Sequence, residues 1–312
     1  MTLHYIQALR AIAALLVVAD HTLLNVVHDQ SPTMTQLAGR LGSAGVYLFF
    51  VISGFIMVHI CWKTFGQKRA AVDFLRRRVI RIVPLYWFAT IAAFAYHRVS
   101  ATHGANADLS ELLYSLAFIP HANNEGLWEP VLPQGWTLNY EMMFYLIFAL
   151  SLFLPRHMAL PALGLTLAAI VIAGPIMPNE ALQYLASPIV LWFLFGVGLG
   201  TIWRWRDLKE PKWVARLGKP LGPLGDSSYS TYLVHGLVLT MLLRVWLMTA
   251  GPPSVWILFV SLAVATLAGW VIYSVFERPL LQKLGNFRRP IGKSASIRKF
   301  PDRNDEAGQF ES

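Results

Sequence analysis

The chain has 312 residues, of which 55% are hydrophobic and only 14% charged, with a mean hydropathy of +0.49 and 11 tryptophans. This balance excludes an ordinary soluble domain and predicts a polytopic membrane protein. Cys61 is the only cysteine in the sequence, which excludes an internal disulfide and a cysteine-rich metal site.

Apolar runs long enough to cross a bilayer recur along the chain, since a hydrocarbon core of about 30 Å requires about 20 helical residues. The sequence predicts an all-α transmembrane bundle with eight spans, at 5–27, 44–62, 79–97, 136–154, 159–177, 184–203, 228–248 and 254–276. A short apolar stretch at 109–119 is predicted to be re-entrant or interfacial, which leaves ten spans as an alternative. The first run lacks a basic leader and a small-residue cleavage site, so we expect it to be a retained helix.

The basic residues indicate the orientation, because Lys and Arg concentrate on the cytoplasmic side of inner-membrane proteins. Twenty-two of the 26 lie in four segments, at 63–82, 155–158, 204–227 and 277–312. The pattern predicts both termini in the cytoplasm of a bacterium, and it explains the net charge of +9 without nucleic acid. We expect one membrane domain over 1–284 and a disordered cytoplasmic tail over 285–312, which is polar and charged.

Ionisable residues interrupt the first predicted span. Arg10 and His21 are 11 residues apart, which places them within about 20° of each other on a helix and about 16 Å apart along its axis. His28 extends the same line, whereas Asp20 is turned away by about 100°. Charged groups inside a bilayer are costly, so they usually mark a site or a pathway. The structural alternatives are that Arg10 reaches the headgroups and that His21 bonds a neighbouring helix.

The spacing of Arg10 and His21 resembles the signature of the acyltransferase-3 family of integral membrane acyltransferases. The opening QALRAIAALLVV and the block GWTLNYEM are most similar to exopolysaccharide-production O-acetyltransferases within it. Tyr47 stands where many members carry Asp or Glu. The further stretches that carry the resemblance are GVYLFFVISGFIM (45–57), FLRRRVIRIVPLYW (74–87), GWTLNYEMMFYLIF (135–148), SSYSTYLVHGLV (227–238) and FERP (276–279).

The resemblance implies transfer of an acyl group, commonly acetyl, from acetyl-CoA to a hydroxyl of an exopolysaccharide or other cell-surface glycan, or of its lipid-linked precursor. The implied surroundings are the inner membrane and polysaccharide synthesis machinery, with no metal. A sugar hydroxyl is a poor nucleophile until a base takes its proton, and histidine suits this role near neutral pH. His21 is the candidate base.

Arginine presents a planar fork of donors that fits phosphate oxygens. Arg10 and the basic cluster at 76–81 are therefore candidates for holding the nucleotide end of CoA, with a purely topogenic role of the cluster as the alternative. Within the cluster, Arg78 and Arg81 share one helical face and are favoured. His235 is predicted to lie near the depth of Arg10 on the donor side, with helix packing as the alternative.

Glu141 lies five residues into the fourth predicted span, at the expected level of His21. A carboxylate bonded to one imidazole nitrogen fixes the tautomer that leaves the other nitrogen free to accept a proton. We therefore predict that Glu141 pairs with His21, with sugar binding or an arginine partner as alternatives. Trp136, Asn139 and Tyr140 are predicted to bind the acceptor.

Two other polar residues are given structural roles. Ser53 in VISGF is not in a nucleophile elbow and is interpreted, with Gly54, as close helix packing. Glu277 is expected to pair with Arg278 near the headgroups. Two other functions compete with catalysis: a transporter or flippase, which predicts internal repeats that the sequence lacks, and a non-catalytic subunit of a polysaccharide synthesis complex.

Overall fold

The computed structural model describes residues 3–27, 32–100, 108–249 and 256–286, and these ranges contain helices and connecting turns but no β-strand. The helices are α1 (His4–Val27), α2 (Pro32–Cys61), α3 (Ala70–Ser100), α4 (Leu109–Leu116), α5 (Trp136–Ser151), α6 (Arg156–Ala173), α7 (Glu180–Leu185), α8 (Leu191–Trp205), α9 (Lys212–Gly218), α10 (Gly222–Asp226), α11 (Ser228–Thr249), α12 (Trp256–Ile272) and α13 (Arg278–Asn286). A 3₁₀ turn at Pro133–Gly135 leads into α5, and a π-helical turn at Tyr273–Glu277 joins α12 to α13.

Seven helical segments of the described ranges are long and apolar enough to cross a membrane. They are His4–Leu24, Pro32–Cys61, Ala70–Val99, Arg156–Ile176, Glu180–Trp205, Ser228–Thr249 and Trp256–Leu284. Large apolar side chains such as Leu165 and Ile172 stand exposed on their outer faces, as lipid contact requires. The prediction of an all-α polytopic membrane bundle is confirmed.

Seven of the eight predicted spans coincide with these segments. The remaining one, the fourth predicted span at 136–154, corresponds to α5, which has 16 residues and is buried along much of its length. The apolar stretch at 109–119 forms the short helix α4. Helix α3 begins at Ala70, nine residues before the predicted start of the third span, and continues through Pro84, so the basic cluster at 76–81 is helical.

Helices α2 and α8 cross with their backbones in direct contact. A Cβ atom added to Gly54 would overlap the carbonyl oxygen of Phe193, and one added to Gly196 would overlap that of Val51. Small residues permit this approach between membrane helices, where lipid gives apolar side chains little reason to associate. The packing role predicted for Gly54 is thereby confirmed.

Helices α9 and α10 lie against the first turns of α1. Gly225 packs on the backbone of Gln7, and the side-chain amide of Gln7 donates to Asp226 Oδ1 at 2.7 Å. Helix α11 follows two residues later, so it begins level with the second turn of α1 rather than at the end of the bundle. Depths counted from the start of α11 are therefore offset from those counted from the start of α1.

The predicted tail at 285–312 lies, apart from the last two residues of α13, outside the described residues. His28 also lies outside them.

Candidate active site

A cavity of about 240 Å³ lies between α1, α2, α3, α5 and α11. Arg10, Arg78 and Arg81 line it, and we refer to it as the arginine cavity. Arg78 and Arg81 share the face that the sequence predicted, whereas Arg76 and Arg77 are exposed on the outside of α3. The cluster therefore contributes two of its four guanidinium groups to the interior.

The guanidinium groups of this cavity retain free donors. Arg10 Nη1 donates to Gln7 Oε1 at 3.4 Å, one turn away on α1. Arg78 lies 5.8 Å from the ring centroids of Phe74 and Tyr145, and its buried Nε atom has no hydrogen-bond partner within the described ranges. A buried N–H without a partner is costly, and a phosphate oxygen would satisfy it. This donor set fits the phosphates of a nucleotide.

Glu141 lies in the arginine cavity, and its hydrogen bonds differ from those expected. Ser53 Oγ donates to Glu141 Oε1 at 3.2 Å, and the Tyr145 hydroxyl donates to the same oxygen. The Glu141 carboxylate also attracts the Arg10 guanidinium group electrostatically. Among the described residues, neither side chain of the predicted pair, His21 and Glu141, hydrogen-bonds the other.

A second cavity of about 220 Å³ lies beside the first. His21 lines it, and we refer to it as the histidine cavity; Asp20 of α1, Tyr47 of α2 and Glu129 of the loop before α5 are among its other lining residues. Burial, and to a smaller extent the neighbouring Glu125, raise the pKa of Glu129.

The two cavities adjoin. Val46 and Tyr232 line both of them. The Tyr232 hydroxyl forms a 2.7 Å hydrogen bond with the Thr137 hydroxyl and donates to the backbone oxygen of Gln134 at 3.1 Å, which fixes the ring at the boundary. The route from the arginines to His21 therefore passes Tyr232.

His235 lies beside His21. The two imidazole rings stack with centroids 5.0 Å apart and planes inclined by 29°. His235 is fully buried, and its Nδ1 lies 2.6 Å from the backbone oxygen of Tyr232. Because a carbonyl only accepts, Nδ1 carries the proton, and the buried Nε2 has no hydrogen-bond partner in the part of the chain that the structure describes. The predicted position of His235 near Arg10 is wrong, because its ring stacks on His21, about 16 Å along α1 from Arg10.

The starting point of α5 explains the position of Glu141. Trp136, the first residue of α5, already lines the histidine cavity at the level of His21. Glu141 lies five residues further along α5, about 7.5 Å along the helix axis, and therefore reaches the arginines. The sequence prediction placed the start of α5 at the membrane surface, whereas the 3₁₀ turn before it is itself buried at Gln134 and Gly135.

Of the residues predicted to bind the acceptor, the structure brings only Trp136 to a described cavity. Asn139 and Tyr140 are buried but line neither, and the Tyr140 hydroxyl donates to the backbone oxygen of Tyr184 at 2.7 Å. Successive helical residues are turned by 100°, so the cavity face of α5 carries Thr137, Glu141 and Tyr145 instead.

Three polar side chains have partners or positions that differ from the sequence prediction. Ser53, interpreted as packing, is a donor to Glu141. Glu277, expected near the headgroups, is 2% exposed and accepts from Ser230 Oγ at 2.5 Å. Asp20, expected to point away from His21, lines the same cavity. Ser230 lies in the run SSYST, whose hydroxyls were the available signal of a buried acceptor nearby.

The chain combines a transmembrane arginine and histidine on one helix with two adjoining cavities. The model of the Acyltransferase domain family matches residues 3–219, which is more than half of the chain. The chain therefore belongs to this family and is an integral membrane acyltransferase.

Two curated proteins are similar along most of their length. The exopolysaccharide production protein ExoZ of Rhizobium meliloti (strain 1021) is 33% identical over 300 residues, covering 80% of this chain and 92% of the relative. The acyltransferase MdmB of Streptomyces mycarofaciens is 25% identical over 373 residues, covering 92% of this chain and 93% of the relative. No solved structure matches the chain.

Proposed function

We propose that the protein is an O-acetyltransferase that moves an acetyl group from acetyl-CoA to a hydroxyl of an exopolysaccharide or another cell-surface glycan, or of its lipid-linked precursor. The observation that carries the proposal is the pair of adjoining cavities, one lined by three arginines and the other by His21. The similarity to a protein named for exopolysaccharide production supports a glycan acceptor.

The arginine cavity supplies the donor site of this proposal. Arg10, Arg78 and Arg81 would hold CoA phosphates by charge-assisted hydrogen bonds, which are roughly twice as strong as neutral ones. The acyl arm would then extend past Tyr232 to His21, a helical distance of about 16 Å from Arg10. Acetyl-CoA supplies an activated thioester when it is bound.

His21 supplies the base. Its imidazole removes the proton of an acceptor hydroxyl, the hydroxyl oxygen forms a bond to the thioester carbonyl carbon, and the carbon–sulfur bond breaks. The proton then passes from His21 to the departing thiolate, so that free CoA and an O-acetyl ester result. The ring of His235, held by Tyr232, restricts the orientation of the His21 ring.

Glu141 receives a positioning role that differs from the catalytic one predicted from the sequence. Ser53 and Tyr145 hold its carboxylate, and the carboxylate in turn offsets the repulsion among the cavity arginines. Its charge therefore acts on donor binding rather than on the tautomer of His21.

The distribution of Lys and Arg supports an inner-membrane location with the arginine cavity toward the cytoplasm, where acetyl-CoA is made. The histidine cavity then faces the outer side of the bundle. Polysaccharide synthesis machinery on that membrane is the proposed source of the acceptor.

The test is acetyl transfer by the purified protein in lipid nanodiscs. Acetyl-labelled CoA is supplied with chemically de-O-acetylated exopolysaccharide from the host, and the glycan is recovered. We expect label on the glycan that mild alkali releases, because O-esters hydrolyse where amides resist. Label that withstands alkali, or an unlabelled glycan with protein that still binds acetyl-CoA, would contradict the proposal. Mass spectrometry of glycan from a strain lacking the protein should show the matching loss of acetyl groups.

A further inference from the structure

Two residues that line the histidine cavity carry polar atoms without a hydrogen-bond partner among the described residues. Asp20 and Gln134 both line it, and they are 8% and 7% exposed. Asp20 Oδ1 and Gln134 Oε1 are buried without a hydrogen-bond partner in the described part of the chain. An unpaired buried oxygen of this kind is costly, so two such acceptors on residues that line one cavity indicate a ligand that supplies hydroxyl or N–H donors.

Two glycines make room for these side chains. A Cβ atom at Gly42 of α2 would overlap the carboxylate of Asp20, and one at Gly236 of α11 would overlap the amide of Gln134. The backbone of two neighbouring helices thus accommodates both groups in their present positions. Close packing against the two glycines holds both side chains in place, since a larger residue at either glycine would displace them.

The other walls of the cavity fit a carbohydrate ring. Trp136 and Tyr47 line it, and Tyr47 stacks on Trp192 with centroids 5.0 Å apart and planes inclined by 13°. A flat, supported aromatic surface packs against the apolar C–H face of a sugar, while a few placed polar groups fix its orientation. Glu129 adds a third acceptor side chain to the lining of the cavity.

From these contacts we infer that the histidine cavity is the binding subsite for one uncharged hexose ring of the acceptor, with Asp20 and Gln134 accepting hydrogen bonds from its hydroxyls. The inference rests on the proposed function, which makes the bound sugar the acceptor, and it names the class of that sugar. The unpaired acceptors of Asp20 and Gln134 disfavour a uronic acid in the same place, because a carboxylate brings further acceptors and no donor.

A photolabelling experiment tests the subsite without requiring turnover. Wild-type protein in nanodiscs is irradiated with β-glucoside and β-galactoside probes that carry a diazirine on a short aglycone, and labelled peptides are mapped by mass spectrometry. We expect label in the peptides of α1 around His21 and in the segment 129–136. Excess methyl glucoside or galactoside should remove the label, and methyl glucuronide should not.

Two variants connect the label to the unpaired oxygens. Asp20→Asn and Gln134→Leu should each reduce specific labelling by about tenfold, and raise the KM for the glycan by a similar factor with the KM for acetyl-CoA unchanged. Asp207→Asn is the matched control, because Asp207 is exposed and lies at φ 47°, where asparagine is equally tolerated.

Several results would overturn the subsite. They are label confined to the arginine cavity or the outer surface, no specific label, equal competition by the glucuronide, and unchanged labelling of both variants. If the glycan is never acetylated but the hexoside label maps to the histidine cavity, the proposed function fails and the sugar subsite stands. If acetylation proceeds but the label lies elsewhere, the subsite fails alone.

Discussion

The two cavities differ in how their polar groups are satisfied. In the arginine cavity, Glu141 accepts hydrogen bonds from Ser53 and Tyr145, and Arg10 donates to Gln7. The carboxylate is therefore satisfied, while the guanidinium groups keep surplus donors. In the histidine cavity the surplus consists of acceptors, at Asp20 and Gln134. A surplus of cationic donors suits phosphates, and a surplus of acceptors suits hydroxyls. Under the proposed function, this difference corresponds to a division of labour between donor binding and acceptor activation.

The largest effect should come from His21, which only the histidine cavity contains. His21→Ala should reduce kcat for acetyl transfer by about 10²-fold or more, because the hydroxyl loses its base. The protein should remain inserted and bind acetyl-CoA normally. The measurement is initial-rate kinetics on glycan, with His157→Ala as control, since His157 is an exposed histidine of α6. Turnover within a few-fold of wild type in the His21 variant would remove it from the chemistry.

The next largest effect should come from Arg78 and Arg81 of the arginine cavity, and it should fall on acetyl-CoA binding. The double variant Arg78→Ala, Arg81→Ala should raise the KM for acetyl-CoA by about 10–100-fold, the loss expected for one or two charge-assisted hydrogen bonds. The double variant Arg76→Ala, Arg77→Ala removes the same charge from the same helix but from its exposed face. Equal effects of the two double variants would show that the cluster acts only through topology or general charge.

Glu141 offers a smaller and more discriminating test. Glu141→Gln should raise the KM for acetyl-CoA by roughly three- to tenfold, because the arginines lose the carboxylate that positions them. The effect of Glu141→Gln should add to that of His21→Ala in a double variant, since the two residues lie in different cavities. It should not add to the effect of Tyr145→Phe, because that change removes a hydrogen-bond donor of Glu141. Kinetics of the two double variants decide this, and loss of the Glu141 effect in the His21→Ala background would restore their direct pairing.

The smallest catalytic effect should come from the packing of α2 against α8. Gly54→Ala forces a Cβ onto the backbone of α8 and should destabilise the fold by about 1–3 kcal/mol, lowering the melting temperature by several degrees. Because α2 carries residues of both cavities, both KM values should change by a few-fold. Gly198→Ala on α8 meets open space and is the control. A Gly54 variant as stable as the Gly198 variant would contradict the tight α2–α8 contact.

Part of this arrangement is predictable from the sequence. The 11-residue spacing places Arg10 and His21 on one line of α1, and the three-residue spacing places Arg78 and Arg81 on one face of α3, because both depend only on helical geometry. The seven long spans follow from hydropathy and length in the same way.

The levels of groups on different helices were not predictable. Helix α11 follows Asp226, which bonds Gln7 within the first span, and α5 starts beside His21. Counting residues from the ends of these helices therefore exchanged the levels of His235 and Glu141. Asp20 was missed because the cavity is wide enough to be lined by two adjacent residues of α1. Such features depend on how loops and short helices set the ends of the spans, which periodicity does not encode.

Equilibrium binding of acetyl-CoA to three proteins in nanodiscs tests the division of labour most directly. Wild type, His21→Ala and the Arg78→Ala, Arg81→Ala variant are titrated by calorimetry without glycan. The two-cavity account predicts equal affinity for wild type and His21→Ala, although the latter transfers acetyl about 10²-fold more slowly, and at least tenfold weaker binding by the arginine variant. Weaker binding by His21→Ala together with unchanged binding by the arginine variant would contradict it.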